Sequence, residues 1–220
     1  MRALAPAAGP LQVLAVGAHP DDIEIGCGAT LLQLAGRPET TLRGVVLTGS
    51  QTRVREASGA LSAFFPGADL ETHSFPDGRL PSHWGEVKDA LHELETRLSP
   101  DVVFCPRADD AHQDHRLLGR LVPTVWRDAL VLHYEIPKWD ADLEPPTHYV
   151  PAAPEVARRK VALLDEHYAS QRDRDWWDAE LFLGLMRVRG VECKSRYAEA
   201  FFSRKVVLDL GAGPRVSSTA

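Results

Sequence analysis

Residues 11–17, LQVLAVG, form an apolar run with β-branched residues that ends at Gly17, and AHPDD (18–22) follows directly. This pattern predicts a buried strand with a polar turn at its carboxyl end. Further apolar runs predict strands at residues 41–48, 101–105 and 129–136. Because helical segments separate these runs, the order is typical of an α/β domain with a mainly parallel sheet.

The alternation of predicted strands and helices becomes less regular towards the carboxyl end of the chain. Apolar spacing and flanking Gly or Pro predict helices at residues 28–35, 54–65, 84–98, 115–122, 155–167 and 175–189. Shorter strands are predicted at residues 70–75, 148–150 and 205–210. We expect Pro123 to interrupt the fourth helix. Residues 11–210 are thus predicted to form one domain with a C-terminal α+β elaboration, between an N-terminal arm (1–10) and a flexible tail (211–220).

Composition excludes several classes of protein. The chain has 220 residues, 44% of them hydrophobic and 25% charged, as in ordinary globular proteins. Its net charge of −6 argues against a nucleic-acid partner bound through phosphate neutralisation. No apolar run approaches the roughly 18 residues of a membrane span. With scattered cysteines and no secretory signal, we expect reduced thiols and a cytoplasmic location.

The first candidate site residues lie in the turn after the first predicted strand. In an open α/β sheet, ligands bind at the carboxyl ends of the strands. His19 and Asp22 are close enough in the chain to converge on one point, and Pro20 stiffens the turn. Imidazole and carboxylate together suit Zn²⁺, whose catalytic sites take three protein ligands and leave a position for water. Asp21 then remains as a candidate base.

A second fragment with the same residue types, HQDH (112–115), follows the predicted strand at 101–105. His115 can supply the third ligand of a site with His19 and Asp22. His112 could face the substrate, and Asp114 could fix an imidazole tautomer by accepting its N–H. Two separate fragments, each after a strand, favour a metal site over the alternative that these residues only cap helices or form turns.

Gly26-Cys27-Gly28 invites comparison with a dinucleotide-binding fingerprint. The third glycine of that fingerprint would fall at position 31, which is Leu31, and the first lies well beyond the strand end. We therefore interpret these glycines as positions of close backbone packing. Cys27 is interpreted as a buried side chain rather than as a nucleophile.

AHPDDIEIGCGAT (18–30) together with HQDH (112–115) resembles the zinc-dependent N-acetylglucosaminyl deacetylases of the PIG-L or LmbE-like family. Supporting likenesses are LTGS (47–50) with RVREA (53–57), FPDGRL (75–80), HYVP (148–151), the helix region from Lys160 to Gln171, and YAEAF (197–201). Many members have Glu directly after the double Asp, whereas here Ile23 intervenes and Glu24 is the acid. Gln113 stands where Pro or a small residue is common. Both departures leave the proposed ligands unchanged, and they leave the substrate specificity undetermined.

The resemblance implies a Rossmann-like three-layer α/β fold and the hydrolysis of an N-acetyl group from an amino sugar. The positions that match the family's zinc ligands are His19, Asp22 and His115. Other divalent transition metals are also possible cofactors. The positions that match its general base, its oxyanion-stabilising residue and the acid orienting that residue are Asp21, His112 and Asp114.

Residues that contact substrate are predicted less directly. The resemblance implies that Arg53 or Arg55 does so, and that Asp77 and Glu199 are candidates for the rim of the site. The chain pattern adds Tyr134 and Trp139, because they straddle a loop that follows a strand.

The expected partner is therefore a small amino-sugar substrate, and a homo-oligomer is possible. One alternative is an amidase that acts on a thiol conjugate or on an acylated natural-product amino sugar. Another is a metal-dependent sugar-binding protein without turnover, against which the free carboxylate of Asp21 argues. A nicotinamide oxidoreductase is disfavoured by the missing third glycine.

Overall fold

The computed structural model describes residues 9–208, in which a seven-stranded sheet is the central layer. The strands are β1 (Leu11–Gly17), β2 (Thr40–Thr48), β3 (Asp69–Phe75), β4 (Val102–Pro106), β5 (Leu130–Tyr134), β6 (His148–Ala152) and β7 (Tyr197–Phe202). The helices are α1 (Asp22–Ala35), α2 (Gln51–Phe64), α3 (Trp84–Glu95), α4 (Gln113–Val125), α5 (Pro154–His167) and α6 (Ala179–Glu192). Short 3₁₀ turns lie at Leu80–His83 and Ala169–Gln171. Within this part of the chain, no helix has the length and hydropathy that a membrane crossing requires.

The strand order is β3-β2-β1-β4-β5-β7-β6. Strands β1 to β5 pair in parallel, and β7 pairs antiparallel with both β5 and β6. The chain runs from β1 outward to β3 and then returns to the other side of β1 as β4. Ligands of open α/β sheets bind at such a reversal, beyond the carboxyl ends of the strands. The turns that follow β1 and β4 therefore meet at this point.

Successive side chains of β1 point to opposite faces of the sheet, and the hydrophobic core is divided between these two faces. Leu14 and Val16 pack with buried residues of α3 and α4, whereas Val13 and Ala15 pack with those of α1, α2 and α5. Helices thus cover both faces, as expected for a largely parallel sheet. The predicted three-layer α/β fold with its antiparallel C-terminal elaboration is confirmed. The division into arm, domain and tail stays a prediction.

Four predicted elements differ from the structure. The first helix begins at Asp22, and non-helical dihedral angles at Cys27 (φ −140°, ψ 16°) kink it. Pro123 lies inside α4 and does not end it. One missing backbone hydrogen bond near the last turn is outweighed there by the continuing apolar face, in which Val122 and Val125 are buried.

The predicted last strand at 205–210 is wrong over residues 205–208, and residues 209–210 lie outside the described part of the chain. The place beside β5 is taken by β7. The β-branched run that follows is exposed, with Val207 at 94%. Trp176 and Trp177, which were predicted to lie in the last helix, precede α6.

Candidate active site

Three side chains from the turns after β1 and β4 meet below the surface. His19 Nδ1 lies 3.1 Å from His115 Nε2. Asp22 Oδ1 lies 3.2 Å from His115 Nε2, and Asp22 Oδ2 lies 3.4 Å from His19 Nδ1. Tetrahedral coordination with bonds of about 2.0–2.1 Å separates donor atoms by roughly 3.3 Å. The three predicted ligands therefore bring suitable donor types together, at separations near those of a tetrahedral metal site.

Two sets of metal-ligand types share His19, with atoms within 4.8 Å of one another: His19, His112 and His115, and His19, Asp77 and Asp114. The first set shares His19 and His115 with the cluster that contains Asp22. His112 lies next to this cluster, with its ring centroid 4.8 Å from that of His19 and 4.7 Å from that of His115.

The local sequence holds this turn rigidly. Asp22 Oδ2 accepts hydrogen bonds from the backbone amides of Ala18 and His19, each at 2.8 Å. Thr48, at the end of β2, donates its backbone N–H and its hydroxyl to the Ala18 carbonyl. Gly49 has φ +131°, and a Cβ there would lie 2.4 Å from the Pro20 ring, so only glycine fits.

Burial and mutual charge shift the pKa values of this cluster. Burial alone would raise the pKa of Asp22, but His115 and His19 hold it well below its usual range. Burial alone would lower the pKa values of His19 and His115, but the neighbouring Asp22 carboxylate raises both. The carboxylate is thus held ionised, and its negative charge favours positive charge at both imidazoles. A cation bound there would take the place of the imidazole protons.

Each predicted histidine ligand has a carboxylate near its second ring nitrogen. His115 Nδ1 lies 3.0 Å from Asp110 Oδ2, and Asp110 Oδ1 accepts the His112 amide at 2.8 Å. His19 Nε2 lies 3.2 Å from Asp77 Oδ1 and 3.4 Å from Asp114 Oδ2. Such carboxylates orient ligating imidazoles and fix their tautomers. Sequence reasoning missed Asp110, although its position just before HQDH was a usable signal.

The predicted contact between the Asp114 carboxylate and His112 is wrong. Asp114 instead accepts the backbone amides of Gly78 at 2.8 Å and Leu80 at 3.1 Å. These amides belong to the turn after β3, so Asp114 anchors that turn to α4. His112 caps α4 by accepting the Asp114 amide at Nδ1, at 3.3 Å.

His112 is neutral near pH 7, so it does not carry the positive charge of a protonated imidazole. Burial, with His115, His19 and Lys138 nearby, lowers its pKa to about 4. Because Nδ1 is an acceptor, the ring proton lies on Nε2. His112 can therefore act as a neutral hydrogen-bond donor.

Asp21 lies beside the cluster and is almost fully buried. Its Oδ2 lies 2.8 Å from an Arg53 guanidinium nitrogen. Burial raises the pKa of Asp21, and Arg53 opposes that rise. Arg55, the other predicted arginine, is exposed on α2 and donates to Thr52 at 3.4 Å. The structure thus brings Arg53 to the site and leaves Arg55 outside it.

A cleft of about 230 Å³ opens above these residues. Its lining includes His19, Asp21, Asp22, Arg53, Asp77, His112, Lys138, Trp139, Gln171, Arg174 and Trp176. Tyr134 is not among them, so its predicted substrate contact is wrong. Tyr134 is fully buried and donates its hydroxyl to the Val16 carbonyl at 2.7 Å, because β5 directs it into the core. Trp139 does line the cleft and is 63% exposed.

A larger cavity of about 290 Å³ lies at the opposite edge of the sheet. It is lined by the beginnings of β1 and β2 and by residues 65–69 and 98–100, and it has no histidine cluster. The smaller cleft carries the reactive groups and is therefore the candidate active site.

Comparison with known proteins assigns the family. Residues 14–126, just over half of the chain, match the family model described as "PIG-L: GlcNAc-PI de-N-acetylase". The chain belongs to the PIG-L family. This PIG-L protein is also 30% identical, over 141 residues, to the Escherichia coli K12 protein described as "Uncharacterized deacetylase YaiS". That match covers 52% of the chain and 75% of the relative. The PIG-L protein is accordingly an enzyme of the deacetylase class, and its histidine and aspartate cluster agrees with metal dependence.

Solved structures share the fold at low sequence identity. The N,N'-diacetylchitobiose deacetylase of Pyrococcus horikoshii has a TM-score of 0.70 and 21% identity, covering 87% of this chain and 83% of that one. The hydratase GalB of Pseudomonas putida has a TM-score of 0.73 and 18% identity, covering 91% and 100%. These likenesses show the fold alone, and since one of these proteins is a hydratase, the chemistry has to be argued from the site.

Glu199, predicted as a candidate for the rim of the PIG-L site, does not line the cleft and is buried at the kink of α1. Its carboxylate accepts the amides of Ala29 and Thr30, at 2.8 and 2.7 Å, at the start of the second helical segment. Lys160 donates to the carbonyl of Ile25, two residues before the kink at Cys27, and to Glu199, each at 2.6 Å. This pair satisfies the backbone groups that the kink leaves free and so supports the helix that starts at Asp22.

Replacing Lys160 with Met is expected to lower the free energy of unfolding by about 3–5 kcal/mol, because it leaves the buried Glu199 carboxylate without its cation. Urea unfolding measures the loss. Adding Glu199→Gln should recover part of it, since the buried charge is removed as well. A double variant that loses the sum of both single effects would contradict a coupled pair.

Proposed function

We propose that this protein is a zinc-dependent hydrolase that removes an N-acetyl or other N-acyl group from an N-acetylglucosamine-type amino sugar or glycoconjugate. The observation that carries the proposal is a buried carboxylate, Asp21, next to the His19, Asp22 and His115 cluster at the floor of an open cleft. A binding site for a metal alone has no need of that carboxylate. Zn²⁺ is proposed because of the donor set, and other divalent transition metals fit the same atoms.

Hydrolysis of an amide needs an activated water, a partner for the carbonyl oxygen and a proton for the departing amine. A bound Zn²⁺ would polarise the acyl carbonyl and lower the pKa of water to about 7. Asp21 then takes a proton from the attacking water and later delivers it to the amine nitrogen. Arg53 supports this role by favouring the ionised form of Asp21 before the reaction.

His112 is the proposed partner of the carbonyl oxygen. It lines the cleft, and its Nε2–H is free to donate because Nδ1 accepts the Asp114 amide. Such a donor stabilises the tetrahedral intermediate more than the flat amide, and it contributes typically about 10²–10³ in rate. Asp110 and Asp77 hold His115 and His19, and Asp114 anchors the turn that presents Asp77. Trp139 is proposed to contact the sugar.

The decisive test is acetate release from a panel of N-acetylglucosamine derivatives, with and without a chelator. We expect turnover that a chelator abolishes and that added Zn²⁺ restores. Turnover restricted to thiol conjugates or to acylated natural-product sugars would favour the alternative amidase. Zinc-loaded protein that binds acetylated sugars without releasing acetate would instead support a binding protein. The cytoplasmic location and a homo-oligomeric state stay predictions.

A further inference from the structure

Helix α6 has apolar residues on two opposite faces. One face contains Phe182 and Met186, which are buried against the core. The other face contains Val188 and Val191, which are 54% and 59% exposed. A helix that is apolar all round is normally buried all round. The described part of the chain covers only the first of these faces, so the second face needs a partner from outside the fold.

The exposed face forms one continuous stripe along the helix. Leu181, Gly184, Val188 and Val191 recur at spacings of three and four residues, which places them on the same side of α6. Leu181 is half-buried, and the other three residues are exposed. Single exposed apolar side chains are common on protein surfaces, whereas a contiguous patch marks an interaction surface. We call these four residues the α6 stripe.

Gly184 lies within the stripe, and the fold of one copy does not require a glycine there. A Cβ at this position would have no other atom within 4 Å. Glycine inside a helix is less favourable than other residues, because it restricts the unfolded chain least. The distance between two packed helices depends on the side chains at their contact, so a glycine allows another helix to approach α6 closely.

Unpaired charges at the two ends of α6 indicate which partner fits. Glu180 lies in the first turn of the helix, Lys194 lies just after its end, and both are exposed. Within residues 9–208, neither side chain has a hydrogen bond or an ion pair. If two α6 helices pair in antiparallel orientation, Glu180 of each copy lies near Lys194 of the other. A parallel pair would instead bring like charges together.

We propose that the α6 stripe is a self-association surface, and that two copies of this chain pair through antiparallel α6 helices about a two-fold axis. Such symmetry makes each apolar and each charged contact twice. A contact of one helix per copy is small for a specific interface, so the dimer should dissociate on dilution. The inference concerns association and does not depend on the proposed activity.

Sedimentation equilibrium over a range of protein concentrations tests the proposal. We expect the unmodified protein to show a monomer–dimer equilibrium. Val188→Asp should raise the dissociation constant by about tenfold or more, because it places an unpaired charge in the contact. Val207→Asp is the matched control, since Val207 is also exposed but lies outside α6. An unmodified protein that stays monomeric at every concentration, or a Val188→Asp dimer of undiminished affinity, overturns the proposal.

Gly184→Gln separates a role in association from a role in the fold. Glutamine favours a helix more than glycine does, so urea unfolding of the monomer should require a higher urea concentration. Its bulk should at the same time raise the dissociation constant of the dimer. Gly85→Gln in α3, where a Cβ also has open space, should leave the dissociation constant unchanged. Equal dissociation constants for the Gly184→Gln variant and the unmodified protein would contradict a close contact at Gly184 and overturn the proposal.

Exchange of the end charges tests the antiparallel arrangement. Glu180→Lys and Lys194→Glu each place like charges at both ends of the dimer, so each should weaken self-association several-fold. When the two variants are mixed, opposite charges meet again at both ends, and the heterodimer should be as tight as the unmodified dimer. Homodimers of unchanged affinity, or a mixture without preference for the heterodimer, overturn the antiparallel pairing.

Discussion

Asp21→Asn is expected to lower kcat by about 10²–10⁴-fold while the metal content stays unchanged. The amide is nearly isosteric with the carboxylate, but it cannot take a proton from water. Asp21 is not one of the three clustered ligands, and its carboxylate faces Arg53. The proposed metal-binding atoms of His19, Asp22 and His115 should thus be undisturbed. Steady-state acetate release and elemental analysis of the purified variant measure the two quantities.

The control for Asp21→Asn is Arg55→Gln, an exposed change on the same side of the sheet as Arg53 but outside the cleft. It should keep full turnover. Thermal unfolding of both variants checks that the fold is retained. Full turnover by Asp21→Asn would remove Asp21 as the base, and loss of metal would show that Asp21 is a ligand instead.

His115→Ala is expected to abolish stoichiometric metal binding. The imidazole is fully buried between Asp22 and Asp110, at 3.2 and 3.0 Å, and its loss removes one partner from each carboxylate and leaves a void between them. Asp110→Asn retains the ligand but weakens its orientation, so we expect metal affinity to fall by about 10–100-fold. Competition with a chromophoric chelator measures both effects without any assay of turnover.

His92→Ala, on the exposed surface of α3, is the matched control for a lost imidazole and should bind metal normally. Stoichiometric, undiminished binding in His115→Ala would contradict the assignment of the third ligand. Undiminished affinity in Asp110→Asn would mean that Asp110 stabilises the loop without affecting the metal.

The sequence predicted the layers of the fold well, because strands and helices have different apolar periods and each is set locally. It also predicted that the turns after β1 and β4 would meet, since the carboxyl ends of neighbouring parallel strands lie at one edge. The prediction of the last strand failed because residues 205–208 have the composition of a strand, whereas the position beside β5 was already taken by β7. Local composition does not indicate which segment of the chain occupies a given position in the sheet.

His19, Asp21, Asp22 and HQDH (112–115) could be selected from sequence because each group is compact in the chain and follows a strand directly. Arg53 could not be separated from Arg55, because the side of α2 that faces the cleft depends on how that helix packs. Tyr134 was misplaced for the same reason, since its direction is set by the pleat of β5. Lys138 and Arg174 carry no motif at all, and they line one cleft only because two segments that are distant in the chain fold over it.

The sequence by itself determined the alternation of strands and helices and placed His and Asp residues directly after strands. It could do so because backbone dihedral preferences and apolar spacing act over a few residues. Only the tertiary structure decided that Asp110 orients His115, that Asp114 anchors the turn after β3, and that Glu199 supports a kinked helix. These contacts join segments whose separation in the chain is large, and they depend on side-chain packing that no local pattern specifies.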